Sequence, residues 1–415
     1  MFDFDKKIYK YSAEALEAVK GEFEAIDRIT EFNQQKMLEA FIDNNVSESM
    51  FSGTTGYGYS DRGRETIDRV FAQAVGAEDS LVRHNFTCGT HTLAVALFGV
   101  LRPGDTMLCV TGTPYDTIHP VIGLNGKDGS GSLADFGIKY KQVELKADGS
   151  LDFEAIENAV DESIAMVYIQ RSRGYSLRPS LSVDEIGRIA EIAKKKSKAV
   201  VMVDNCYGEW VEEKEPTQAG ADLIAGSLIK NPGGGIARTG GYIAGRHDLI
   251  EKCACRLITP GIGREVGATL GMNRELFLGV YSAPHVVGEA LKSMAFAAAL
   301  FKRLGFDSTP ASGEKRHDII QAIKLHNEKN LIAFCRGIQK CSPVDAFAAP
   351  EPWDMPGYDS KVIMAAGAFT LGSSIELSAD APLREPFAVW MQGGLNFHSA
   401  KLAIMSAADE VLKVQ

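Results

Sequence analysis

The segment Ala199-Val200-Val201-Met202-Val203-Asp204 is an apolar run that ends in a carboxylate. In a parallel sheet such a run is a buried strand, and an acid at its mouth costs desolvation energy unless a cation meets it. Further along stands Lys230, within Ser227-Leu228-Ile229-Lys230-Asn231-Pro232-Gly233-Gly234-Gly235. A lysine becomes a nucleophile when its ammonium is desolvated, and glycines let a backbone approach a ligand closely. Taken singly, a strand-end Asp is also a cap and a Lys before Asn-Pro-Gly a solvated turn, so neither residue decides the matter alone.

Two more segments shift the weight. Phe86-Thr87-Cys88-Gly89-Thr90-His91 joins a strand to an Ala/Leu-rich helix. Free N–H groups and the positive dipole end make that helix start a phosphate site, although Thr87 or Thr90 there also serves as an N-cap. Thr113-Pro114-Tyr115-Asp116-Thr117 follows the next strand and offers the Tyr115 ring as a platform for a planar group. Phosphate cradle, aromatic platform, strand-end acid and lysine, in that order, are what pyridoxal 5'-phosphate requires. The acid keeps the pyridine nitrogen protonated and the lysine forms a Schiff base. Gln170-Arg171-Ser172-Arg173 ends the strand before that of Asp204, so Gln170 and Arg171 should face the same edge. The arginines there either hold a substrate carboxylate or phosphate bidentately or pair with acids in a surface loop.

Seven β-branched runs must carry these groups: 79–85, 106–111, 139–145, 164–170, 199–204, 222–227 and 241–244. They alternate with helical patterns, which predicts an α/β fold with a largely parallel sheet covered on both faces and ligands at the carboxyl ends of its strands. Apolar residues recur at helical spacing between Ser12 and Asn45, and Met50 to Ser60 reads as an ordered loop. A helix over 277–304 contains Pro284, which predicts a kink or break. Beyond 305–313 the pattern becomes one helix near 317–340, two or three strands and a closing helix near 397–413, a smaller α+β domain. The expected division is a helical segment 1–50 packing on a partner or on the small domain, a cofactor-binding domain 51–304 and a small domain 305–415.

Composition narrows the alternatives. The 415 residues are 45% hydrophobic and 24% charged, which excludes disordered, collagenous and fibrous classes. A net charge of −10 without any run of five basic residues argues against nucleic acid as a partner; Lys194-Lys195-Lys196 reads as a solvated helix end. The seven cysteines contain no CxxC pair, so reduced thiols are expected. Cys88-x-x-His91 and Cys253-x-Cys255 lack a second half at zinc spacing, so no metal is expected, and no G-x-G-x-x-G opens a helix after a strand. With neither a signal core nor an apolar stretch of the ~18 residues a membrane span needs, the cytoplasm is the expected location.

Five blocks together resemble fold-type I pyridoxal-phosphate enzymes of the Cys/Met metabolism class, and within it the methionine γ-lyase or cystathionine β-lyase-like branch called aluminium resistance protein. They are Gly56-Tyr57-Gly58-Tyr59-Ser60-Asp61-Arg62-Gly63-Arg64, Val203-Asp204-Asn205-Cys206-Tyr207-Gly208-Glu209, Ser227 to Gly234, Gly372-Ser373-Ser374-Ile375-Glu376-Leu377 and Met391-Gln392-Gly393-Gly394-Leu395. The resemblance covers nearly the whole chain. It implies an aspartate aminotransferase-like fold, with a large, mainly parallel seven-stranded sheet domain and a small α+β C-terminal domain. It implies Lys230 as the Schiff-base lysine, Asp204 as partner of the pyridine nitrogen, Tyr115 as the stacking ring, Tyr207 beside the cofactor, and Cys88, Gly89, Thr90 and Ser227 around the phosphate.

In that class a Tyr-x-Arg segment reaches across a dimer interface to the neighbour's cofactor phosphate. Tyr59 and Arg62 are the nearest equivalents, three residues apart rather than two, with Tyr57 and Arg64 as the alternatives. The Thr that precedes the lysine in the class is Ile229 here, so Arg62 or Asn231 would supply the missing donor. Arg384 falls in the region that binds the substrate α-carboxylate in related enzymes. The implied activity is β- or γ-elimination of a C–S bond in a sulfur amino acid, with Lys230 or Tyr59 as proton carrier. Transamination, C–C cleavage or a non-catalytic pyridoxal-phosphate-binding stress-response protein are the alternatives. The implied assembly is a homodimer with shared sites, and on to a tetramer.

Overall fold

The computed structural model describes residues 2–125, 129–354 and 360–415. Its larger sheet has seven strands: β1 (Asp79–Arg83), β2 (Thr106–Cys109), β3 (Lys139–Gln142), β4 (Ile164–Gln170), β5 (Val200–Asp204), β6 (Leu223–Ser227) and β7 (Gly241–Gly245). Their order is β1-β7-β6-β5-β4-β2-β3, with β7 antiparallel to both neighbours and every other pair parallel. Each of the seven expected runs is a strand. The central ones are apolar on both faces: Met166, Val167, Tyr168 and Ile169 of β4 and Val201, Met202 and Val203 of β5 are fully buried, as helices on both sides of a parallel sheet require. The register sets Gln170 beside Asp204 and Asp204 beside Ala225, so the ends of β4, β5 and β6 come level.

Local chemistry fixes the flanking helices. The helix Arg62–Val75 starts on Asp61, whose carboxylate accepts from Arg64 N, and stops at Gly76 with φ +65°. The helix Val183–Lys196 opens with a Ser182/Glu185 capping box and carries Lys194, Lys195 and Lys196 in its last turn, where the dipole favours cations. The helix Gly89–Val100 covers one sheet face with Leu93, Ala96 and Leu97, in the same apolar cluster as Ala225 and Ile243.

A second sheet is antiparallel throughout, in the order β10-β11-β12-β9-β8: β8 (Ser308–Thr309), β9 (Ile320–Lys324), β10 (Val362–Ala366), β11 (Ser378–Pro382) and β12 (Ala388–Gln392). Helices Glu328–Lys340 and Phe397–Val414 accompany it. The expected single helix over 317–340 is corrected here. Its first third is β9, paired with β12, and the helix begins only after Asn327, whose side chain accepts from Asn330 N. The five residues Ile320-Gln321-Ala322-Ile323-Lys324 are too short to set a helical register of their own and take the state their partner strand offers. The expected break at Pro284 is also absent: the helix Asn273–Arg303 is continuous through it. Proline removes one helical hydrogen bond, and dense burial of Ala283, Val286, Val287 and Ala290 on either side compensates.

The chain forms two compact units, one of residues up to Phe32 together with Ala283–Gln415, the other of Asn33–Ser282. This differs from the expected boundaries at 50 and 304. Met294, Phe296, Leu300 and Phe301 share one apolar cluster with Ile8, Ala15 and Val19 and with Phe334 and Met391, so both the N-terminal helix and the second half of the long helix belong to the smaller core. Among the described residues no helix is long and apolar enough to cross a membrane.

Candidate active site

Asp204 ends β5 and is 7% exposed, its Oδ1 accepting from Cys206 N at 3.1 Å. Burial pushes its carboxyl above the ordinary range, and the Lys230 charge pulls it back. Lys230 follows β6 in a tight turn closed by its own N–H on Ser227 O at 3.2 Å. A Cβ at Gly233 would overlap Leu228 O, so the turn demands glycine there. The Lys230 side chain is partly exposed, and Nζ lies 4.0 Å from the centroid of the Tyr207 ring. Desolvation works against its ammonium. Cys206, Tyr207, Asp204 and Tyr115 more than offset that and hold the free amine above the usual lysine range.

Tyr207 presents its ring from a backbone with φ +71°, and Trp210 in the same turn has φ +63°. Non-glycine residues in this region cost on the order of 1–3 kcal/mol each and gather at functional sites.

The phosphate cradle is drawn from two elements. Ser227 is 1% exposed and its Oγ has no hydrogen-bond partner. A Cβ at Gly89, first residue of the helix Gly89–Val100, would lie 3.4 Å from Ser227 Cβ, so the helix start abuts that hydroxyl. Cys88 caps the helix, its Sγ accepting from His91 N at 3.3 Å, and Thr90 Oγ1 stands 2.8 Å from Thr117 Oγ1. A buried hydroxyl without a partner, next to a helix N-terminus free of side-chain bulk, fits a phosphate group.

Tyr115 is half-buried, with its N–H on Gln170 Oε1 at 2.6 Å and its ring beside Tyr175. Gly174, φ +58°, leaves room for that ring: a Cβ there would come 3.2 Å from Tyr115 Cδ2. Gln170 Nε2 donates to Ser172 O at 3.0 Å, so both ends of its amide are committed to the framework that holds Tyr115. Gln170 is therefore spent on positioning rather than offered to a substrate.

Arg171 is corrected more firmly. It is fully buried and donates to Asn205 Oδ1 at 2.8 Å, Gly208 O at 2.9 Å and Glu212 Oε1 at 2.9 Å, with Glu215 at 3.6 Å. Fully buried and held by these partners, it presents nothing to a substrate. Arg64, the alternative to Arg62, is likewise buried and donates to Gly58 O and Gly267 O at 2.7 Å each. Arg62 is exposed, and its side chain makes no hydrogen bond or ion pair among the described residues. Tyr57 and Tyr59 are 74% and 61% exposed and stack on each other at 5.6 Å. Asn231 donates to Glu209 O at 3.0 Å. Arg384 is exposed in the turn between β11 and β12 of the other unit.

Two residues near the centre are given no role by the sequence. Tyr168, inside apolar β4, is a phenol in the field of Asp204, and Glu209 is a fully buried acid whose Oε1 accepts from Tyr242 Oη at 2.8 Å. Both look like ordinary strand and turn residues until the strands are aligned. Of possible metal ligands, Asp79, His247 and Glu251 converge, but Arg264 bridges Asp79 and Glu251 at 2.7 and 2.8 Å and takes that position.

Known proteins match the chain over nearly its whole length. The uncharacterized protein YnbB of Bacillus subtilis is 46% identical over 411 residues, 99% of this chain and 98% of its own. A carbon-sulfur lyase involved in aluminum resistance from Clostridium novyi NT has a crystal structure that matches with a TM-score of 0.94 at 50% identity, over 98% of this chain and 96% of that one. The pyridoxal-5'-phosphate dependent protein YhfS from Escherichia coli, 16% identical over 92% of this chain and 97% of its own, shares the fold with a TM-score of 0.62. The architecture is thus that of fold-type I enzymes. A family model matches residues 8–412, nearly the full length that builds both sheets and the strand-end cluster, and by it the chain belongs to the methionine gamma-lyase family.

Proposed function

We propose that this protein is a pyridoxal-phosphate-dependent carbon–sulfur lyase that releases a thiol from a sulfur amino acid by β- or γ-elimination. The observation that carries the reading is the acid that ends β5 and the lysine in the turn after the neighbouring strand β6, beside the partnerless Ser227 hydroxyl, in a chain of the methionine gamma-lyase family. When bound, the cofactor supplies an electron-withdrawing ring that acidifies the substrate Cα–H.

The chain's own residues supply the rest. Lys230 would hold the cofactor covalently, and its Nζ, once released, takes and returns the Cα proton. The Asp204 carboxylate keeps a proton on the ring nitrogen, and its burial makes that charge strong. Tyr115 would pack on the ring, while Ser227 Oγ and the N–H groups of Gly89 and Thr90 would hold the phosphate. Tyr207 lies against Nζ and limits where that amine can turn. Arg384 is the candidate for the substrate carboxylate, since Arg171 is fully paired. The exposed Tyr57–Tyr59 stack with Arg62 serves the site of a second copy, in a homodimer or tetramer. Seven unpaired thiols suit a reducing compartment such as the cytoplasm.

Product analysis on cystathionine, methionine, cysteine and O-substituted homoserines tests this. Elimination gives ammonia, a 2-oxo acid and the released group without an amino acceptor, with pyruvate marking β- and 2-oxobutyrate γ-elimination. Turnover that depends on an amino acceptor, or no turnover of the panel by the coloured protein, would overturn the lyase assignment.

A further inference from the structure

The peptide group between Pro114 and Tyr115 has both of its polar atoms held by side chains. Its N–H donates to Gln170 Oε1 at 2.6 Å, and its carbonyl, Pro114 O, accepts from His119 Nε2 at 2.7 Å. A carbonyl only accepts, so Nε2 carries the ring proton. Nδ1 of the neutral ring is then an acceptor, and Asn125 Nδ2 stands 3.1 Å from it. Gln170 is fixed in the same way, because its Nε2 donates to Ser172 O at 3.0 Å. One peptide plane is thus pinned from two sides, by side chains that are themselves pinned.

The chain folds locally so as to bring the imidazole there. His119 is buried and opens the short helix His119–Ile122, directly after the turn Asp116–Ile118, in which Ile118 N donates back to Tyr115 O at 2.9 Å. Ile118 and Ile122 sink into the apolar cluster that also holds Leu93, Met107 and Cys109, which anchors the imidazole to the sheet. Within the same turn Thr117 Oγ1 stands 2.8 Å from Thr90 Oγ1, at the helix start that forms the phosphate cradle. Tyr115 itself is only half-buried. A peptide unit is rigid, so turning this plane changes the backbone dihedrals at Tyr115 and swings its side chain with them. Placement of a contacting group to within a fraction of an ångström is what such a clamp supplies.

We propose that His119 is a positioning residue for the Tyr115 ring: its Nε2–H fixes the Pro114–Tyr115 peptide plane, and through that plane the face the ring offers to a planar ligand. This deepens the reading of Tyr115 as the ring that packs on pyridoxal phosphate, and rests on it. None of the roles assigned above uses His119.

The test is a double-mutant cycle on cofactor affinity, read by equilibrium titration of the full-length protein with pyridoxal phosphate. His119→Ala should weaken binding about fivefold to tenfold, the scale of one lost hydrogen bond. In the Tyr115→Leu background the same substitution should change affinity by less than about twofold, because no ring is left to misplace. His119→Gln, whose amide offers an N–H at similar reach, should restore wild-type affinity. A second readout needs no cofactor: tetranitromethane should nitrate Tyr115 several-fold faster in cofactor-free His119→Ala than in the wild type, mapped by peptide mass with exposed Tyr9 as internal reference. Equal losses of affinity in the two backgrounds would show that His119 supports the fold rather than the ring and would overturn the proposal. An unchanged nitration rate, or a His119→Gln that binds no better than His119→Ala, overturns it equally. Should His119→Ala not fold, His119→Leu, which has no donor but fills similar space, takes its place in the cycle. If neither the wild type nor any variant takes up cofactor, the lyase reading fails, and nitration alone decides for or against His119.

Discussion

Two groups of buried charged side chains stand behind the ends of β4, β5 and β6, and they differ in how completely they are paired. Around Arg171, Glu212, Glu215, Asn205 and the carbonyls of Gly208 and Leu181 bind all three nitrogens of the guanidinium. Around Lys230, the Ser227 Oγ, the Asn231 Oδ1 and the Glu209 Oε2 are buried without partners, and Nζ faces an aromatic ring rather than a carboxylate oxygen. Folded proteins satisfy nearly all their buried polar atoms, so a local cluster of orphans needs an explanation. A complete network is framework; an incomplete one is where a ligand supplies the missing half. Each cluster has a cation that follows a strand end, Arg171 after β4 and Lys230 after β6, so the sequence alone does not tell them apart.

That contrast can be broken by substitution. Arg171→Ala should be the largest effect on stability, a loss of about 3–5 kcal/mol in denaturant unfolding, because it strands buried Glu215 and half-buried Glu212. A raised KM at unchanged stability would instead return Arg171 to the substrate. Asp204→Asn should leave the unfolding midpoint nearly unmoved while lowering kcat/KM on the order of 10²–10³-fold, the usual scale for one preorganised electrostatic group. Equal losses of stability in the two variants would erase the distinction between the clusters.

Ser227→Ala should weaken cofactor binding by roughly 1.5–3 kcal/mol, the value of a hydrogen bond to a charged group, and leave the cofactor-free protein as stable as before, since nothing there bonds its Oγ. Equilibrium titration with pyridoxal phosphate reads the first, thermal unfolding the second.

The smallest effect concerns Asp61, which resembles the Arg171 type. Burial works to raise its carboxyl, but bonds from Thr269, Thr54, Arg64 N and Asn273 outweigh it and hold the group below the ordinary range. A depressed carboxyl contributes stability above the unfolded value, and that is lost as pH falls through the folded one. Wild type should therefore lose stability as the pH drops below about 4, and Asp61→Asn should show a shallower acid slope. Parallel slopes would remove Asp61 from the paired class.

How far the sequence was legible follows from the range of each interaction. Asp204 and Lys230 stand out because an apolar strand ending in an acid and a lysine before glycines are local signals, and the sheet alignment only brings them together. Ser227, Gly89 and Tyr115 follow from the same strand-end logic. Arg171 misled because its partners Glu212 and Glu215 lie beyond β5, and nothing near Arg171 in the chain announces them. Glu209 stands in one of the five blocks, but neither its burial nor that of Tyr168 can be read locally, for the same reason. β9 was hidden inside a helical reading because its pairing with β12 comes from more than sixty residues away. The boundary in the long helix likewise depends on which core its two halves join, a property of packing that periodicity does not encode.

The most direct test is borohydride reduction of the wild-type protein and of Lys230→Ala after incubation with pyridoxal phosphate, read by visible absorption and peptide mass. The wild type should show a band at about 420 nm that reduction bleaches, leaving the pyridoxyl mass on the peptide that contains Lys230. Lys230→Ala should stay colourless and unlabelled at matched occupancy. A pyridoxyl group on any other lysine, or an unchanged band in Lys230→Ala, would contradict the assignment of this site.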